Sequence, residues 1–254
     1  MKDLGLCLSG GGARASAHIG VLEALNENGI YPKQLSGTSA GALIASLYCY
    51  GYKPLEILEM SLQDEFVNIF KFQIITRNWN RLAALKKLLM KHMPENSFDA
   101  MKIPVHVCAT NLNKGCAEFL NSGDLATAIT ASCAIPVIFK AVQIDGMTYV
   151  DGGVLNNLPV ETLLDKDLTI MGVSICPHDE MAKVTSIREI SERIFQLNVW
   201  SNVELRLKQC DIVLDLEDSF NYGMFDVKKS EELFRIGYDR TLQQMPSILA
   251  QLAD

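Results

Sequence analysis

No stretch of this chain approaches the roughly 18 consecutive apolar residues of a membrane-spanning helix. The opening Met1-Lys2-Asp3-Leu4 lacks the apolar core and small-residue cleavage site of a secretory leader, so the expected location is the cytoplasm. The seven cysteines, at positions 7, 49, 108, 116, 133, 176 and 210, include no C-x-x-C pair and are odd in number. That speaks against a disulfide framework and a zinc knuckle alike. Only four histidines occur, without an H-E-x-x-H, and the calcium-loop pattern D-x-[DN]-x-[DN]-G is missing. Neither a metal nor a cofactor is expected. Positive charge is also scarce: a net charge of −7 argues against nucleic acid as the main partner. Repeats, low-complexity tracts and Gly/Ser-rich linkers are absent, and 254 residues suffice for a substantial core. Residues 1–254 read as a single domain.

What is present is punctuation by glycine. Leu4 to Ser9 reads as a buried strand running into Gly10-Gly11-Gly12, then a helix over about 13 to 28 stopped by Asn28-Gly29. A short strand near Gln34 to Ser36 leads to Gly37-Thr38-Ser39-Ala40-Gly41. The next helix carries Ala40, Leu43, Ile44 and Leu47 on one face and ends at Gly51. Two successive strand–glycine turn–helix units predict a parallel α/β sheet with its site at the carboxyl ends of the strands. Further strands are expected at Ile103 to Thr110, Cys116 to Leu120, Leu168 to Cys176 and Asp211 to Leu216. A hairpin is expected about Asp145-Gly146. Asp124 suits a helix cap, Pro159 a helix start, Ser186-x-x-Glu189 a capping box for a helix to about Leu207, and a closing helix begins near Lys229.

The G-x-S-x-G pentapeptide and the triple-glycine loop carry the chemistry. A serine on a tight strand-to-helix turn exposes its hydroxyl, and the flanking glycines remove the Cβ clashes that forbid the turn. A glycine loop opening a helix offers backbone N–H groups, here from Gly10 to Ala13, to an oxygen that becomes negative in a transition state. The serine also needs a base. Asp151 ends a strand, as Ser39 does, and Gly152-Gly153 leaves its carboxylate uncrowded, although D-G-G also serves as a plain turn. Among the histidines only His178, after a strand end, suits a Ser39–Asp151–His178 triad. Too few strands precede Ser39 for the fold in which that chain order is usual.

Ser9-Gly10-Gly11-Gly12-Ala13-Arg14, Gly37-Thr38-Ser39-Ala40-Gly41 and Asp151-Gly152-Gly153 resemble, in order and spacing, the three signature motifs of patatin-like phospholipases. Ala131-Ser132-x-x-Ile135-Pro136 and Phe225-Asp226 resemble further motifs of that family. The resemblance implies a three-layer α/β/α fold with a mainly parallel central sheet, and hydrolysis of lipid esters by a Ser–Asp dyad. Ser39 is then the nucleophile, Asp151 the base, and the amides of Gly10, Gly11, Gly12 and Ala13 the oxyanion hole. Arg14 would steady the loop, meet a phosphate headgroup or form a structural ion pair. Where the family usually has G-G-G-x-[RK]-G, Ala15 replaces the last glycine, a change that a helical backbone tolerates.

Residues 66 to 94 carry six cations (Lys71, Arg77, Arg81, Lys86, Lys87, Lys91) and no acid, leaving −13 on the rest of the chain. Phe66, Phe70, Phe72 and Trp79 are interleaved with them. Leu82, Leu85, Leu88 and Leu89 share one helical face, which suits a lid within residues 60–100, a surface touching anionic membrane, or a helix packed on the core. Two rivals of another class are a nucleotide-binding domain and a non-catalytic lipid-binding domain. The dinucleotide fingerprint wants an acid at the end of the second strand, and Gln34-Leu35-Ser36 supplies none.

Overall fold

The computed structural model describes residues 2–70, 81–136, 138–164, 167–176, 178 and 184–253. Its strands are β1 (Leu4–Leu8), β2 (Gln34–Thr38), β3 (Val105–Asn111), β4 (Cys116–Leu120), β5 (Val142–Ile144), β6 (Met147–Asp151), β7 (Thr169–Ser174) and β8 (Ile212–Asp215). They form one sheet in the order β5-β6-β3-β2-β1-β7-β8, with β4 also paired to β3. The run from β3 through β2, β1 and β7 to β8 is parallel. β4, β6 and the β5–β6 hairpin add the antiparallel pairs. This is the mainly parallel α/β sheet that the glycine punctuation predicts.

Eight α-helices are described: α1 (Ser16–Glu27), α2 (Ala40–Tyr50), α3 (Pro54–Leu62), α4 (Asp64–Phe70), α5 (Arg81–His92), α6 (Leu125–Ser132), α7 (Ile187–Leu207) and α8 (Ser230–Ala253). Side chains of a strand alternate between its two faces, and here they divide the core in two. Leu4, Leu6 and Leu8 of β1 and Met171 and Val173 of β7 join α1, α2, α3, α5, α6 and α8 on one face. Cys7 and Ile170 point the other way, toward Leu158, Val160, Leu163 and the Val199–Val203 face of α7. The three layers are therefore unequal, and the thin one is chiefly α7. On the thick side α1 and α8 cross closely, with Gly20 against Phe234 O and Gly237 against Ala17 O.

Most predicted caps are formed. Asp124 accepts from Thr127 N at 2.8 Å, and Ser186 and Glu189 complete a reciprocal capping box at the start of α7. Pro159 opens only a single 3-10 turn, Val160–Thr162, instead of a longer helix. Side chains from other elements pin the chain on either side of Pro159: Asn157 N donates to Asn202 Oδ1, and Gln34 Nε2 donates to Thr162 O.

α5 turns Leu82, Leu85, Leu88 and Leu89 into the main core. Two of its lysines are engaged internally: Lys86 Nζ lies 3.0 Å from Asp124 Oδ2, and Lys91 Nζ 2.8 Å from Glu65 Oε2. Lys71, Phe72, Arg77 and Trp79 of the basic segment lie outside the described residues. Among the described residues no helix is long and apolar enough to cross a membrane.

Candidate active site

Ser39 sits between the last residue of β2 and the first of α2, with φ 54° and ψ −126°. Such left-handed backbone costs a non-glycine residue about 1–3 kcal/mol and persists only when its surroundings hold it. Two contacts do so. Ser39 N donates to Ser132 Oγ at 2.7 Å, and the Ser132 hydroxyl donates to Cys108 O at 2.5 Å. Close packing of α2 does the rest. A Cβ at Gly41 would stand 2.5 Å from both Leu8 O and Ser9 O, so only glycine lets α2 approach β1 this closely.

Strand register brings Asp151 to the serine. β3 pairs with β4 along one edge, from Val107 to Asn111. Its other edge is shared: β2 takes Val105 to Cys108, and β6 takes Ala109 to Asn111. Thr38 thus pairs with Cys108 and Asp151 with the next residue, Ala109. β2 and β6 run toward each other, so their carboxyl ends converge where Ser39 and Asp151 stand. Both residues are buried, at 8% and 2% exposure. Burial disfavours the charged carboxylate and pushes the Asp151 pKa up to about 7, with the Ser39 hydroxyl and the Gly153 N–H opposing the rise. The Gly153 bond to Asp151 Oδ1 measures 2.8 Å.

The glycine loop narrows the expected set of four amides. Gly10 N donates to Asn157 O at 3.3 Å and Ala13 N donates to Met224 O at 2.8 Å, so neither N–H is available to a substrate. Gly11 and Gly12 make no such bond among the described residues. Gly12 has φ 64°, a turn that directs the chain into the 3-10 helix Gly12–Ala15 ahead of α1. Ala15, the departure from the family's glycine, is right-handed helical (φ −61°, ψ −14°) and buried without strain.

Two further side chains hold this loop. Asn157 Nδ2 donates to Gly10 O at 3.1 Å and to Cys176 Sγ at 2.9 Å. Its Oδ1 closes on the space beside Gly10, where a Cβ would meet it at 2.5 Å. His18, from α1, donates through Nε2 to Ser9 O at 2.8 Å. Burial lowers the His18 pKa to about 4, so the ring is a neutral clamp at ordinary pH.

Arg14 is buried and reaches Tyr222 O at 3.0 Å through Nη1, while its Nε has no hydrogen-bond partner among the described residues. Burial lowers its pKa to about 10, offset by Cys176 and Asp226, and the guanidinium stays charged at neutral pH. With Ser39, Asp151, Gly11 and Gly12 it lines a pocket that Phe195 and Val199 of α7 help to enclose. His178 is not among the lining residues. Its ring stacks on Trp200 at 4.0 Å and meets Phe220 edge-on at 5.2 Å, so the structure does not bring it to Ser39 and Asp151. No three His, Cys, Asp or Glu side chains converge as metal ligands among the described residues.

The family model for patatin-like phospholipases matches residues 6–164, a span holding Ser39, Asp151 and the whole glycine loop. The chain belongs to the patatin-like phospholipase family. An uncharacterized NTE family protein of Mycobacterium bovis is 30% identical over 169 residues, covering 65% of this chain and 47% of the relative. The lysophospholipase NTE1 of Candida glabrata is 24% identical over 278 residues, covering 94% of this chain but 16% of its own length. The chain therefore spans about half the length of the first relative and a small part of the second. Among solved structures, VipD from Legionella pneumophila aligns over 97% of this chain and 67% of its own, with a TM-score of 0.58 at 17% identity. Human GIVD cytosolic phospholipase A2 aligns over 99% of this chain and 58% of its own, with a TM-score of 0.52 at 12% identity. Those likenesses establish the patatin-like α/β fold. Within it, Asn157 and Ser132 support the site although neither stands out as a support in the sequence. Each acts through a backbone group 93 or more positions away, Ser39 N or Gly10 O.

Proposed function

We propose that this protein hydrolyses carboxylic esters of lipid type, phospholipids or lysophospholipids, with Ser39 as nucleophile and Asp151 as base. The observation that carries this reading is the head-on approach of β2 and β6, which sets Ser39 against a buried carboxylate titrating near 7. A base tuned to the working pH is half ionised there and still takes up a proton readily.

In the first half-reaction Asp151 accepts the Ser39 proton as Oγ bonds the ester carbonyl carbon. The carbonyl oxygen becomes an oxyanion, which the N–H groups of Gly11 and Gly12 stabilise. The intermediate collapses, the carbon–oxygen bond to the alcohol breaks, and Asp151 returns the proton to that alcohol. Water then attacks the acyl-serine with the same base, releasing the fatty acid and restoring Ser39 and Asp151. We assign the Arg14 Nε, which has no partner among the described residues, to the substrate's phosphate. A second pocket, which shares Gly12 with the first and is walled by Ala40, Leu43, Ile44, Phe66 and Val227, offers apolar space for an acyl chain.

The test is a hydrolysis screen over lysophospholipids, phospholipids and short p-nitrophenyl esters, paired with fluorophosphonate labelling. Ser39→Ala and Asp151→Asn should each abolish turnover, because the two residues act as one proton-transfer unit. His178→Ala should keep most of its activity. A His178→Ala protein as inactive as Ser39→Ala would replace the dyad by a triad. A folded wild type that neither labels nor turns over any ester would return the chain to a lipid- or nucleotide-binding role.

A further inference from the structure

α7 is apolar on two opposite faces. Val199 and Val203 are buried against the thin side of the sheet, and Phe195 and Leu207 pack with them. Across the helix Ile187, Ile190, Ile194, Leu197 and Leu205 are exposed, at 85%, 42%, 62%, 48% and 61%. At 3.6 residues per turn these five side chains fall within an arc of about 80°, with Ser201 inside it. A helix resting on a core normally turns a polar face to water, so a second apolar stripe needs another apolar phase.

We infer that the outer face of α7 is the surface by which this protein docks onto a lipid aggregate, a micelle or bilayer, beside its substrate pocket. The inference rests on the lipid-ester reading above. The same helix supplies Phe195 and Val199 to the pocket lining, so lipid lying on its outer face is about one helix diameter, roughly 10 Å, from the substrate space. Area decides against a second copy of the chain. Residues 187 to 205 span about 27 Å at 1.5 Å per residue, so a stripe about 10 Å wide covers roughly 300 Å². A stable protein interface needs about 800 Å² per partner. A hydrocarbon surface needs no matching partner face, and each isoleucine or leucine that enters it gains independently. The basic segment is the weaker candidate: its described leucines are in the core, and Lys86 and Lys91 are held by Asp124 and Glu65.

The experiment compares the wild type with an Ile190→Gln/Ile194→Gln/Leu197→Gln variant. Vesicles of an ether-linked, zwitterionic phosphatidylcholine keep the chemistry out of the binding measurement. Flotation should show the triple variant losing at least tenfold in vesicle partition. Turnover of a short soluble ester should stay within twofold, because no substituted residue lines the pocket, and hydrolysis of vesicle-borne ester should fall with binding. Ser39→Ala should float like wild type, so docking and chemistry are scored separately. Loss of flotation in the triple variant together with an inert wild-type serine would keep the docking surface and remove only the hydrolase reading. Equal flotation by variant and wild type, or a wild type that does not float, overturns the inference. So does a wild-type dimer on a sizing column that the triple substitution splits without changing flotation, since the stripe is then an interface between copies.

Discussion

Replacing Asp151 by asparagine should stabilise the folded protein as pH rises, while abolishing the proposed chemistry. Asp151 is nearly fully buried and titrates near 7 in the folded chain, whereas an unfolded aspartate titrates near about 3.9. Between those values the folded state holds a proton that the unfolded state has released. Stability must then fall as pH rises, by about 1.4 kcal/mol for each pH unit. The loss is absent below about pH 4 and complete above about pH 7, where it totals roughly 4 kcal/mol. This is the reverse of a salt-bridged aspartate, whose folded pKa is depressed and whose stabilisation is lost on acidification. Asparagine keeps the shape and an oxygen for the Gly153 N–H, which bonds Asp151 Oδ1 at 2.8 Å, but carries no charge at any of these pH values. Urea unfolding of wild type and Asp151→Asn at pH 5, 6, 7 and 8 isolates the effect, because all other titrating groups are shared. The stability difference should shift in favour of asparagine by about 3 kcal/mol between pH 5 and pH 8. Parallel stability curves would show that Asp151 ionises normally, and the burial argument for its role as base would fall.

The same tuning sets the pH–rate profile: kcat/KM for a soluble ester should fall tenfold per unit below about pH 7, where Asp151 becomes protonated and can accept nothing from Ser39. A profile flat down to about pH 5 would contradict it. Asn157→Leu removes the donor that ties Gly10 O and Cys176 Sγ. The variant should lower kcat by about 10- to 100-fold with KM within about threefold, since misplaced Gly11 and Gly12 amides lose transition-state contacts before substrate binding. An unchanged kcat in a folded variant would free the loop from Asn157.

Local chemistry made much of this molecule readable in its sequence. Asp124 and the Ser186-x-x-Glu189 box start helices as their side chains demand. Asp145-Gly146 forms its hairpin with both residues at positive φ, at 49° and 76°. The unread parts depend on neighbours. α3 opens with Pro54 after Lys53, a first-turn proline that is a usable signal only once its apolar residues, Ile57 and Met60, have a core to face. The segment after Pro159 has the proline of a helix start but yields one 3-10 turn, whose last carbonyl, Thr162 O, accepts from Gln34 Nε2 of a distant strand. The glycine loop was legible as a bank of amides. That two of its four N–H groups are taken by Asn157 O and Met224 O was not, since those carbonyls come from residues 147 and 211 positions away.

The meeting of Ser39 and Asp151 shows why two motifs far apart in sequence behave as one. Neither G-x-S-x-G nor D-G-G contains the geometry that joins them. β3 contains it, by offering one edge to two strands that approach from opposite directions and stop at Cys108 and Ala109. Cys108 O also receives the Ser132 hydroxyl, whose oxygen in turn accepts from Ser39 N. A Cβ on Gly152 would strike that same carbonyl. One peptide unit of β3 therefore meets the serine turn through Ser132 and the aspartate turn through Gly152. Any shift of β3 by one residue would exchange the faces of all its side chains and part the two turns together. The site's precision is thus a property of strand register, and a variant that perturbs the centre of β3 should damage both residues at once.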